Sequence, residues 1–156
     1  MLNLDYKWMK LALKEAKLIK NNLEVPVGAV LIDLSNNQLV SKSSNKIIKK
    51  SNPLLHAEME VISKGIKHYK KKFLHDTAIY ITLEPCLMCA AAISEARISK
   101  VYFGAYDEKK GAIENGFRLF DNNKYYKPEI YGGIMEKECS KLIKSFFLNI
   151  RKKNKR

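Results

Sequence analysis

The sequence lacks an apolar run long enough to cross a bilayer. Its first residues, MLNLDYKWMKLALKEAKLIK, are broken by lysines and acids and so do not form the apolar centre of a signal peptide. Together these absences predict a cytoplasmic protein with no membrane partner. Cysteine is scarce, three in all, an odd number that suits a compartment where thiols stay reduced and disulfides are rare. With four prolines and seven glycines there is no Gly/Ser linker, low-complexity block or internal repeat. Residues 1–156 therefore read as one domain, with RKKNKR at 151–156 as a basic tail. Acidic residues are also few, 16 against 29 basic ones, for a net charge of +13. That excess suits a polyanionic partner such as nucleic acid. Most of the cations are lysine, however, and Asn and Ile are abundant, as an AT-rich genome also produces, so charge alone assigns nothing.

Apolar spacing supplies the elements. Leu4, Trp8, Leu11, Ala12 and Ile19 recur at helical intervals, predicting an amphipathic helix from about Leu4 to Lys20. VPVGAVLIDL (Val25 to Leu34) reads as a buried strand, SNN as a turn and QLVSKSSN as its shorter partner strand. HAEMEVISKGIKHY suits a helix. AIYITLE (Ala78 to Glu84) is a second buried strand, with a helix from Cys86 to about Ala96 behind Pro85, and ISKVYFGAY is a further strand. From Gly111 to Gly133 the pattern dissolves into Gly, Asn, Lys and Tyr, predicting loops and short pieces. Cys139, Leu142, Ile143, Phe146, Phe147 and Ile150 form the apolar face of a terminal helix, with Cys139 a buried small hydrophobe. The alternation predicts an α/β fold: a three-layer α/β/α sandwich of one mixed sheet with helices on both faces.

The chemistry gathers in TLEPCLMCAAAI. Cys86 and Cys89 stand three apart at a helix start, so both sulfurs can point at one spot while helix amides favour their thiolates. A lone C-x-x-C also fits half a zinc ribbon or a redox pair. The ribbon needs two more ligands, and Cys139 has no neighbouring Cys or His. His56, opening the HAE stretch, changes the reading. One imidazole and two thiolates are three ligands for Zn²⁺, leaving the fourth tetrahedral position to water, the pattern of a catalytic site. Glu58, two residues on, can line the same pocket at a helix entrance and move protons as general base and then general acid.

HAE with PCLMC resembles the zinc nucleobase-deaminase signature. EVPVGAV (Glu24 to Val30), Asn45 ahead of NPLLHAE, TLEPCLMCAAAI and RISKVYFGAYD (Arg97 to Asp107) make the chain similar to the bacterial tRNA-specific adenosine deaminases of the cytidine/deoxycytidylate deaminase superfamily. The likeness runs from the first helix to the Phe-Phe helix. It implies a cytidine-deaminase-like fold, a homodimer, one Zn²⁺ per subunit and conversion of the wobble adenosine of a tRNA anticodon, that of an arginine tRNA, to inosine. By the same resemblance His56, Cys86 and Cys89 would hold the zinc and Glu58 would shuttle protons. Asn45 would bond the adenine ring, Val25 would pack on the flipped base, and Asp107 would lie near the ribose. GAIENG (Gly111 to Gly116), a longer DLSNNQ turn and the bulk of Leu55 depart from the family pattern, in RNA-facing loops more than at the zinc.

Two alternatives remain at this level. The same zinc site serves free-base deaminases acting on guanine or cytosine. A non-catalytic zinc-stabilised RNA-binding module would instead need His68 or His75 as a fourth ligand. Lys49-Lys50, Lys70 to Lys72, Lys109-Lys110 and the tail are the candidate phosphate contacts.

Overall fold

The computed structural model describes residues 2–155; Met1 and Arg156, the last residue of the expected basic tail, lie outside them. Helix α1 (Leu2–Lys17) is followed by a hairpin of β1 (Gly28–Asp33) and β2 (Gln38–Ser44). Then come α2 (Ala57–Tyr69), β3 (Thr77–Leu83), α3 (Leu87–Glu95) and β4 (Lys100–Ala105). A three-residue strand β5 (Glu129–Tyr131) and the long helix α4 (Glu136–Asn154) complete the chain. The strands form one five-stranded sheet in the order β2-β1-β3-β4-β5. Strand β1 is antiparallel to both of its neighbours, whereas β3, β4 and β5 run parallel, so the sheet is mixed.

Side-chain alternation along the strands divides the core into two layers. Ala29, Leu31, Ile79, Ile81, Val101 and Phe103 point to one face, where α2 and α3 cover them with Ala57, Val61, Ala90 and Ile93. Val30, Ile32, Ala78, Tyr80 and Tyr102 point to the other, against Trp8, Met9, Ala12 and Leu13 of α1 and Cys139 of α4. This is the three-layer sandwich that the alternation implies. Tyr80, Tyr102 and Tyr131 stack on neighbouring strands at centroid spacings of 4.3 and 4.8 Å. The Tyr80 hydroxyl donates to Asp5 of α1 at 2.7 Å.

Several boundaries differ from the sequence-based expectation. The first strand begins at Gly28, because Pro26 has no N–H for a ladder and Val27 N–H turns back to the Val25 carbonyl at 2.9 Å. Opposite Leu31 and Ile32 the register shifts from Ser41 to Leu39, a bulge that leaves Val40 without a partner. Strand β5 lies inside the stretch expected to be irregular. On α4 only Cys139 is buried, while Phe147 is 42% exposed, since the later turns have little sheet beneath them. The helix continues through most of the basic tail, to Asn154.

Gly28 lets α1 lie against β1. A Cβ there would meet the backbone carbonyl of Ala12 and stand 2.7 Å from Ala16 N, and neither backbone atom can yield as a side chain does. Its own N–H donates to the Thr82 hydroxyl at 3.1 Å, tying β1 to β3. Gly28→Ala is expected to lower stability by about 1–3 kcal/mol through overpacking, read as an earlier urea-unfolding midpoint at unchanged slope.

Candidate active site

Two helices begin at one place. His56 is the N-cap of α2 and Cys86 the N-cap of α3, both in extended backbone, and neither side chain caps its own helix. Both are instead turned towards each other. His56 Nδ1 lies 3.8 Å from Cys86 Sγ and 3.6 Å from Cys89 Sγ. The three donor atoms all lie within 4.8 Å of one another. A nitrogen about 2.0 Å and a sulfur about 2.3 Å from one tetrahedral zinc are about 3.5 Å apart, so the donor spacing fits that ion. Cys86 stands one residue ahead of the helix rather than within its first turn, which aims its sulfur back across the N-terminus.

The protonation balance points the same way. A hydrogen bond from Cys89, with further help from His56 and the Cys89 amide, brings the Cys86 thiol down to about 4 against the opposition of burial. The hydrogen bond with Cys86 pushes His56 up. Cys89, bonded to the Cys86 thiolate and buried, moves upward because a second negative charge beside the first is disfavoured. A divalent cation removes that competition, and two thiolates with one neutral imidazole balance its charge.

Glu58, in the first turn of α2, is 4% exposed. Burial pushes its carboxyl up to about 7, in the range where a group can both take and give a proton. Its Oε2 is buried with no hydrogen-bond partner. An orphaned buried oxygen beside three inward-facing metal donors fits a site built to hold a metal and its water.

Two walls flank this centre. On one, Asn45 Oδ1 accepts from Ala57 N–H at 2.9 Å, capping α2 in place of His56, and Asn45 Nδ2 donates to the Val25 carbonyl at 3.2 Å. Val25 and Asn45 thus stand together next to the metal donors, and Asn45 keeps one N–H and one lone pair free. The buried Glu24 accepts from the amides of Ile47, Ile48 and Lys49 at 3.1, 2.7 and 3.1 Å, holding the loop that leads towards His56. On the other wall Asp107 N–H donates to Glu84 Oε2 at 3.0 Å. The Asp107 carboxylate itself accepts from Lys109 and Lys110 amides, both at 3.0 Å, so it shapes the turn that presents those lysines. Glu24 and Glu84 lie in the family-like stretches EVPVGAV and TLEPCLMCAAAI, but sequence reasoning gives neither a role. The local signal for one is an acid in, or closing, an otherwise apolar stretch.

His68 and His75 are exposed and do not join the three donors, so among the described residues nothing closes the fourth position as a non-catalytic module requires. The lysine clusters separate. Lys49-Lys50 and Lys109-Lys110 lie on the loops held by Glu24 and Glu84, at the mouth. Lys70 to Lys72 follow the far end of α2, about 20 Å from His56 at 1.5 Å per helical residue.

Residues 2–105 match the family model described as the cytidine and deoxycytidylate deaminase zinc-binding region. A tRNA-specific adenosine deaminase of Rickettsia bellii is 44% identical over 144 residues, covering 92% of this chain and 99% of its own. A solved structure from work on A-to-I editing by tRNA:A34 deaminases at the wobble position of transfer RNA is 39% identical, with a TM-score of 0.82 over 87% of this chain and 98% of that one. The guanine deaminase of Nitrosomonas europaea superposes with a TM-score of 0.78 over 90% of this chain and 83% of its own, but at 13% identity, a likeness of fold alone. The converging helix starts, the three donors and the buried glutamate are thus carried by a chain that belongs to the zinc-binding cytidine and deoxycytidylate deaminase family, on the branch of the bacterial tRNA-specific adenosine deaminases.

Proposed function

We propose that this enzyme hydrolyses the wobble adenosine of a tRNA anticodon, in an arginine tRNA, to inosine and ammonia. It acts in the cytoplasm as a homodimer with one zinc per subunit. The observation that carries this reading is the 39% identity, over nearly the whole of both chains, to a structure from work on tRNA:A34 deaminases. The guanine deaminase of similar fold stands at 13%. The excess of basic residues is consistent with an RNA substrate. No described helix is long and apolar enough to cross a membrane.

His56, Cys86 and Cys89 would hold the zinc, which when bound supplies a Lewis acid that makes water a nucleophile at neutral pH. Glu58 takes the proton that water gives up, at the unpartnered Oε2, as oxygen adds to C6 of the adenine. It delivers that proton to ring N1, then passes the proton of the new C6 hydroxyl to the amino group, so that the C–N bond breaks, ammonia leaves and the C6 carbonyl of inosine forms. Asn45, fixed at both ends of its amide by backbone, presents its free N–H and lone pair to the ring. Val25 supplies apolar surface to the extruded base. Asp107 lies near the ribose, and the lysines of the two mouth loops meet phosphates.

Zinc-replete protein offered an anticodon hairpin with adenosine at the wobble position should form inosine there alone, read by mass spectrometry. Free adenine, guanine, cytosine and adenosine should stay unchanged. Turnover of a free base would move the enzyme to that substrate class. Glu58→Gln should retain its zinc by elemental analysis and lose at least about 100-fold in kcat. Loss of zinc as well would make Glu58 a structural group. With four lysines at the mouth, affinity for the hairpin should fall about 50-fold between about 50 and 200 mM salt. A flat response would remove the electrostatic part of the reading.

A further inference from the structure

Glu84 closes β3 and immediately precedes Pro85-Cys86. It is 2% exposed, and among the described residues it has no ion-pair partner. Its charge is met by amides instead. Oε1 accepts from the backbone of Ile113, Glu114 and Asn115 at 3.2, 2.8 and 2.8 Å. Oε2 accepts from the backbone of Asp107 at 3.0 Å and from Asn115 Nδ2 at 2.7 Å.

All of these donors belong to the segment from Asp107 to Asn115, which is pressed onto the Cys86 turn. Gly111 forms a bridge with Cys86, and Ala112 N–H donates to the Pro85 carbonyl at 3.0 Å. A Cβ at Gly111 would come within 2.6 Å of the Glu84 carboxyl, so the contact requires glycine at that position. The same segment bears Asp107 and the exposed Lys109 and Lys110. One buried side chain thus ties together a metal-donor turn and a cationic loop at the mouth. The five bonds are more than a strand end needs. Stability alone does not explain why every donor comes from the one loop that packs on the Cys86 turn.

We propose that Glu84 is a positioning residue for the reaction: it fixes the Asp107–Asn115 loop against the Cys86 turn, so that Asp107, Lys109 and Lys110 meet the RNA in a set register. This rests on the RNA-deaminase reading above. A glutamine in its place presents amide donors to a ring of donors, and the loop loses its anchor while the metal donors keep theirs.

The test combines kinetics on the wobble-adenosine hairpin with amide exchange and zinc content. Glu84→Gln should keep its zinc, raise KM for the hairpin about tenfold and change kcat by less than about threefold. The amides of Asp107 and of Ile113 to Asn115 should exchange faster. Asn115→Ala, which removes one of the five bonds, should move KM and exchange in the same direction by less. A Glu84→Gln enzyme of lower thermal stability but wild-type KM would overturn the proposal, since a purely structural role predicts that result. Should Glu84→Gln fail to fold or to hold zinc, Asn115→Ala decides, and a wild-type KM in that variant overturns it. If the unaltered enzyme makes no inosine from the hairpin, the functional reading fails instead. Exchange in the variants then still tests the clamp, and unchanged protection overturns it.

Discussion

The convergence of two helix N-termini imposes the constraint on which the other features depend. Helices α2 and α3 must both start beside the end of β3, and each gives its N-cap position to a metal donor rather than to a capping residue. A helix start exposes amides and a positive dipole end, the environment that favours thiolate. It also leaves those amides in need of acceptors. Asn45 answers for Ala57, and in doing so fixes its own amide beside His56 at the start of α2. The placement of His56 and the placement of the Asn45 amide are therefore set by the same helix start.

Carboxylates near the centre are sorted by what they are given to bond. Glu60 has Lys46 at 2.8 Å and serves as an ordinary partly exposed pair. Among the described residues Glu24 and Glu84 are buried without a cation and are met by amides instead, so they organise loops. Glu58 is buried with one oxygen unsatisfied, which costs stability and goes with a carboxyl pushed up to about 7. The same side chain takes three roles because burial and partners differ.

Much of this was legible in the sequence because it rests on periodicity and spacing. The alternating strands, the helical spacing after Pro53 and Pro85, and the His-x-Glu and Cys-x-x-Cys pairs need no knowledge of distant contacts. What escaped depends on such contacts. Strand β5 has three residues in a run of Gly, Asn, Lys and Tyr, and only the edge of β4 makes it a strand. Glu84 meets its partners some 23 to 31 residues later, and Glu24 meets its own 23 to 25 residues later, so no local pattern marks either. The terminal helix was read correctly from its apolar face. How little of that face would be covered depended on where the sheet ended.

The two ends of the sheet have a consequence for assembly. Strand β2 carries a bulge and an outward lysine, Lys42, drawn to Glu15 at 2.8 Å. Strand β5 is three residues long, with Glu129 paired to Lys100 at 3.5 Å. Neither border gives another polypeptide a long flat row of free amides and carbonyls to extend. The sheet therefore ends within the molecule at both borders and offers no template for growth by strand addition.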